Sequence, residues 1–116
     1  MRTIFCITLF SLLVSCSSDD EVPRDIIPIP QMKFIMFDVI TAQEAAGLTF
    51  TKDTTALKQK TFELYQQVFA IYKISRGDFF KSFHYYEANP DKIKVLYDSL
   101  TAYANRKRQE LYQKLK

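Results

Sequence analysis

One cysteine in this sequence stands where covalent chemistry is expected, at the end of an apolar run. Arg2 supplies an early positive charge, residues 4–14 are almost all apolar, and Cys16 follows two positions later. A helix that crosses a bilayer needs about 20 apolar residues, so this run is too short to span one. A short basic start followed by such a run is typical of an export signal. Cys16 therefore lies where an exported chain would be processed and modified.

The residues that end the apolar run resemble the lipobox of bacterial lipoproteins: Leu13, Val14, Ser15 and Cys16. In that family the cysteine is lipidated on its sulfur, the chain is cut before it, and the new amino group is acylated. The resemblance implies a signal peptide over residues 1–15 and a membrane anchor on Cys16, because two or more acyl chains hold a protein stably. An ordinary secretory signal with an incidental cysteine, or a short membrane anchor, is the alternative.

An acidic segment follows the cysteine at once. It consists of Ser17, Ser18, Asp19, Asp20 and Glu21. The segment resembles the export signal of Bacteroidota surface lipoproteins, which implies an outer-membrane protein that faces the cell exterior. The periplasmic face of the same membrane is the alternative. A plainer interpretation is a solvated tether, which the repulsion of like charges keeps extended.

The remaining residues offer little for catalysis or metal binding. Cys6 leaves with the signal and Cys16 would carry lipid, so the mature chain has no thiol for a metal or a nucleophile. His84 is the only histidine, and it lies off the apolar stripe of its segment. Asp38 and Glu44 do not share a helical face, and we expect Asp38 to bond a tyrosine hydroxyl or a helix end. We predict no enzyme, no cofactor and no metal site.

Aromatic and basic residues are the better candidates for binding. The chain has 10 Phe and 7 Tyr, and several fall outside the apolar stripes of the predicted helices. Such rings either thicken the core or form an interface. Near the end of the chain, a basic segment is either a solvated helix end or a contact for an acidic protein or a lipid surface. The candidate interaction residues are Phe34, Phe37, Phe80, Tyr85, Arg106 and Arg108.

The elements that must position these residues are helices. Residues 16–30 form a proline-containing tether, and Ile26, Ile27 and Ile29 are expected to lie along the folded body. The helical domain, residues 31–116, is predicted to be an all-α bundle of four helices with a short third helix. The predicted helices cover 30–46, 55–72, 76–88 and 90–115.

Local signals mark most of the helix ends. Gly47 is predicted to end the first helix. A capping box of Ser75 and Asp78 begins the third, and Asn89 caps the fourth with Pro90 just inside. In the second helix, the predicted apolar stripe is Leu57, Leu64, Val68 and Ile71, widened by Phe62, Tyr65, Phe69 and Tyr72.

One family shares several of these features. The stretch from Val68 to Ser75, with Phe79, Ser82, Tyr85-Tyr86, Asn89-Pro90 and Leu96-Tyr97-Asp98, resembles small Bacteroidota lipoproteins known as domain of unknown function 4296. The resemblance covers about residues 22–103 and implies a helical lipoprotein with no established reaction. We expect a non-enzymatic accessory subunit of an envelope complex. Its partner is expected to be another envelope protein, with a β-barrel complex the first class to examine. Nucleic acid is not expected as a partner. A glycan-binding surface lipoprotein is the alternative.

Overall fold

The computed structural model describes residues 21–49 and 52–116, and these form a bundle of four helices without a strand. The helices are α1 (Ile29–Thr49), α2 (Thr54–Tyr72), α3 (Arg76–Ala88) and α4 (Pro90–Lys114). The prediction of an all-α bundle with a short third helix is confirmed. In the part of the chain that is described, no helix has both the length and the apolar composition needed to cross a membrane.

Helix α1 is the centre of the bundle and packs mainly against α2 and α4, while α3 lies against α4 and α2. Its buried side chains recur at helical spacing: Ile29, Met32, Ile35, Met36 and Val39. Each such side chain contributes about 1.5–3 kcal/mol when it leaves water. The sequence predicts a stripe of Met32, Ile35, Met36, Val39 and Ile40 on this helix; the first four are buried, whereas Ile40 is 43% exposed.

The segment before α1 belongs to the core. Ile26 and Ile27 are buried with Ile29, as the apolar pattern of the tether predicted. Two polar side chains of α3 bind the backbone of Ile27. The Ile27 N–H donates to the Ser82 hydroxyl at 2.9 Å, and the Tyr86 hydroxyl donates to the Ile27 carbonyl at 2.6 Å. We call these two hydrogen bonds the Ile27 clip.

The predicted caps of α3 are present. Ser75 and Asp78 form the capping box, and the hydrogen bond that the Ser75 N–H donates to the Asp78 carboxylate holds the pKa of Asp78 below its usual range. Asn89 occupies the cap position of α4, yet its side-chain amide donates to the Tyr85 carbonyl at the end of α3. The side chain thus closes the preceding helix, while Pro90 provides the start of the next.

Two details of the predicted helices are wrong. Helix α1 continues through Gly47 to Thr49, and Gly47 does not adopt the left-handed conformation that is common for a glycine at a helix end. Ile71 was placed on the buried stripe of α2 but is 71% exposed. The buried residues of α2 are Val68, which belongs to the predicted stripe, and Phe69, which was predicted to widen that stripe.

Candidate functional site

An open groove lies between α1, α2 and α3, and it has two lobes. The larger, about 500 Å³, carries two cations and is called the basic lobe; the smaller, about 230 Å³, is called the aromatic lobe. Gln43 and Tyr65 line both, so the lobes are continuous. The basic lobe is also lined by Gly47, Leu57, Lys58, Thr61, Phe62 and Arg76, and the aromatic lobe by Met36, Val39, Ile40, Phe79, Phe80 and Phe83.

Arg76 joins the two lobes through its guanidinium group. This group lies 4.9 Å from the ring centroid of Phe80 and 5.6 Å from that of Phe62. Each contact is a cation–π interaction, worth about 0.5–1 kcal/mol at an exposed site. The side chain is well placed because Arg76 is the first residue of α3, where the capping box of Ser75 and Asp78 holds the chain.

The two cations of the basic lobe have no acidic partner. Among the described residues, no carboxylate lies within ion-pair distance of Arg76 or Lys58. The groove therefore combines an apolar floor with positive charge that nothing in the described fold neutralises. A ligand that carries a carboxylate beside an apolar side chain matches that combination.

Tyr65 forms the wall between the lobes. Its hydroxyl donates to the Gln43 side-chain oxygen at 3.0 Å, and burial raises the pKa of Tyr65 above its ordinary value. Below it, the Phe79 ring packs 5.2 Å from both Phe69 and Phe80, centroid to centroid. The lower wall of the groove is thus continuous with the core.

The structure gathers three of the predicted interaction residues in a second place. Phe34 and Phe37 each pack against Tyr103 in a T-shaped arrangement, at centroid distances of 4.8 and 5.1 Å, and Arg106 lies 5.9 Å from the Tyr103 ring. Lys107 also approaches this ring, at 5.7 Å. Phe34 and Phe37 are half-buried between α1 and α4, so their rings contribute to packing within the bundle.

The other predicted residues are dispersed. Phe80 lines the aromatic lobe, Tyr85 packs against Tyr86, and Arg108 is exposed on α4 beside Asn105. Whether these residues bind a partner stays a prediction. Glu21 is exposed, while the rest of the predicted export signal and the lipidation site lie outside the described residues: Cys16, Ser17, Ser18, Asp19 and Asp20.

The residues considered for catalysis, His84 and Asp38, line neither lobe of the groove. His84 is exposed and lies 3.1 Å from Glu87, one turn away on α3. Asp38 accepts a 2.6 Å hydrogen bond from the Tyr72 hydroxyl, which confirms the predicted tyrosine partner. No group of three or more potential metal ligands occurs within residues 21–49 and 52–116.

The bond between Tyr72 and Asp38 predicts a loss of stability in alkali. Burial, followed by the hydrogen bond to Asp38, raises the pKa of the Tyr72 hydroxyl well above its ordinary value near 10. The unfolded chain therefore loses this proton first, so the contribution is complete below pH 10 and declines as pH rises above it. We expect the free energy of unfolding, measured in urea, to fall above pH 10.

A Tyr72→Phe variant is expected to be less stable at pH 7 and to show a weaker decline above pH 10. Part of the decline should persist, because burial also raises the pKa of Tyr65. Solvent screening at this half-buried site limits the size of the effect. An unchanged pH dependence in the variant would contradict the role given to this hydroxyl.

Sequence reasoning found Phe80 but missed the groove around it. Arg76 was interpreted only as part of a helix start, and Gln43 was not singled out. In the second cluster, Tyr103 was not singled out either. The one local signal was the pair Phe79-Phe80 shortly after Arg76. Two adjacent phenylalanines place their rings on different sides of a short helix. Nothing in that pattern indicates that α1 and α2 supply the opposite wall.

The fold and groove define a small all-α bundle, and the family can now be stated. The chain belongs to the family described as Domain of unknown function (DUF4296), whose model matches residues 23–110. The matched region contains the groove, the Ile27 clip and Tyr103, and it stops before the last residues of α4. No curated protein and no solved structure matches the chain significantly.

Proposed function

We propose that this protein is a non-enzymatic lipoprotein of the outer membrane that acts as an accessory subunit of an envelope complex. The observation that supports the proposal is the groove, which is open, apolar along its floor and basic at one end. Its occupant is an apolar segment of another envelope protein, with a carboxylate positioned to meet Arg76. A β-barrel protein is the first partner class to examine.

Sequence features support the membrane address. Cys16 follows an apolar run that is too short to span a bilayer, and the acidic residues come directly after it. In the proposal, acylation at Cys16 fixes the chain at the surface of the outer membrane, facing outward. Only a short stretch separates Cys16 from Ile26, so the bundle and its groove would be held close to the membrane.

Glycan binding is the alternative, and it receives less support from the groove. A sugar platform would need two tyrosine rings exposed flat, whereas the groove contains the single tyrosine Tyr65. The Tyr65 hydroxyl is already bonded to Gln43, and Arg76 covers Phe62 and Phe80. A protein segment fits this surface better, because aromatic and arginine side chains are the usual anchors of protein interfaces.

Reversing the charge of Arg76 is expected to release the partner. The full-length protein carries a C-terminal tag at native expression, its membranes are dissolved in mild detergent, and co-purifying proteins are quantified by mass spectrometry. We expect Arg76→Glu to recover at least about tenfold less partner, since loss of a central anchor costs about 2 kcal/mol or more. The fold should persist, because an acidic residue is favourable in the first turn of a helix.

Arg24→Glu is the matched control, because Arg24 is exposed, lies outside the groove and undergoes the same change of charge. Its partner recovery should equal that of the native protein. Equal recovery with Arg76→Glu would argue against the groove as the binding surface. A native protein that elutes without any stoichiometric partner would argue against an accessory subunit and favour glycan binding.

A further inference from the structure

The end of α4 extends beyond the bundle. Every residue from 108 to 116 is exposed, although the helix continues to Lys114. Three large apolar or aromatic side chains are among them: Leu111, Tyr112 and Leu115 are 61%, 63% and 82% exposed. These residues also lie outside the region that the family model matches. No other part of the described fold covers them.

The exposed side chains form one stripe. Leu111 and Leu115 are four positions apart, and Tyr112 and Leu115 are three apart, so the three side chains are neighbours on the helix surface. Lys107 and Lys114 lie along one edge of this stripe, and Arg108 lies on the same face as the stripe, one turn before Leu111 and Tyr112. Long cationic side chains beside an apolar stripe can extend their charges toward a polar interface.

The charge of this helix end is strongly positive. Residues 106–116 contain five basic side chains and one acidic side chain, Glu110. Glu110 lies 3.5 Å from Lys107, and among the described residues no carboxylate is within ion-pair distance of the other four cations. The favoured occupant is therefore an anionic surface that also accepts apolar side chains.

The size of the stripe argues against a second copy of the chain. Even a large aromatic side chain buries at most about 250 Å², and these three side chains are only 61%, 63% and 82% exposed, whereas a stable protein interface buries about 800 Å² on each partner. A lipid surface has no such requirement. Its phosphates attract lysine and arginine, and tyrosine is favoured at the boundary between the head groups and the acyl chains.

We propose that the projecting end of α4 lies on an anionic lipid surface, with Leu111, Tyr112 and Leu115 inserted between the head groups. This inference rests on the proposed membrane address. The bundle would then contact the membrane at two points, the acylated Cys16 and the end of α4. Two contacts restrict the rotation of the bundle and hold the groove at a defined orientation to the membrane.

An environment-sensitive dye on Leu115→Cys tests the contact in the lipidated full-length protein. With Cys16 acylated and Cys6 removed with the signal, the new cysteine is the one thiol available for labelling. The protein is reconstituted into vesicles of phosphatidylcholine, with or without phosphatidylglycerol. With phosphatidylglycerol, we expect the dye emission to shift to shorter wavelength and brighten severalfold. Gln113→Cys is the control, since position 113 faces the opposite side of the helix.

Reversing two charges tests the electrostatic part. Arg108→Glu with Lys114→Glu, in the labelled Leu115→Cys protein, should abolish the shift. An unshifted dye at position 115, or equal shifts at 115 and 113, would overturn the inference. So would a dye that shifts only when an acidic membrane protein is added. Mass spectrometry of the same protein reports the lipid on Cys16, and its absence would overturn both this inference and the proposed address.

Discussion

Replacing Phe69 by alanine is expected to lower the free energy of unfolding by about 3–5 kcal/mol, the range for large aromatic side chains in a core. Phe69 is 1% exposed, and its ring lies 5.2 Å from Phe79 and 6.2 Å from Tyr65, centroid to centroid. Truncation leaves a cavity between α2 and α3 that these rings cannot fill without moving. The total free energy of unfolding of a native protein is about 5–15 kcal/mol, so the substitution would remove much of the stability.

Phe62→Ala is the comparison that makes the result specific. Phe62 is on the same helix but is 51% exposed at the rim of the groove, beneath Arg76. We expect its loss to cost less than about 1 kcal/mol. Both values come from urea denaturation followed by circular dichroism. Similar losses for the two variants would contradict the division between core rings and groove rings.

Removing either side chain of the Ile27 clip is expected to cost about 1–3 kcal/mol, because a buried backbone group loses its hydrogen-bond partner. Ser82→Ala would leave the Ile27 N–H unpaired, and Tyr86→Phe would remove the donor to the Ile27 carbonyl. Ser82 and Tyr86 are completely buried, so water cannot replace them without local opening. Hydrogen exchange should show faster exchange of the Ile27 amide in Ser82→Ala.

The double variant is expected to cost less than the sum of the single variants. Both bonds hold one short segment, so once the first is lost the segment can detach, taking Ile26 and Ile27 from the core. Ser99→Ala, on α4, is the control and should leave stability nearly unchanged or slightly higher, because alanine favours helix. Full additivity would mean that the two bonds act independently and that the clip is not a unit.

The clip connects stability with the proposed function. Ile27 lies eleven residues after Cys16, so in the proposed lipoprotein the clip fastens the tether to the bundle. If it opened, the distance between the membrane and the groove would increase, although the groove itself would remain. Variants of Ser82 or Tyr86 should therefore be tested for folding before they are used in partner experiments.

Local sequence signals predicted the local structure well. Ser75 and Asp78 bind each other's backbone within one turn, so their pairing depends on no other part of the chain. The apolar spacing of α1 likewise determined its buried face. These signals failed at positions where the local sequence is compatible with two different structures. Gly47 is compatible with both a helix and a helix end, and on α2 several adjacent apolar residues competed for one buried face.

The sequence by itself determined the four helices, the burial of Ile26 and Ile27, and the family, and it is the sole basis for expecting an anchor at Cys16. The tertiary structure alone decided where the groove is. Its walls come from α1, α2 and α3, and the angles at which helices pack depend on all the side chains between them. For that reason Phe34 and Phe37 lie against Tyr103, whereas Phe80 lines the groove beside Arg76.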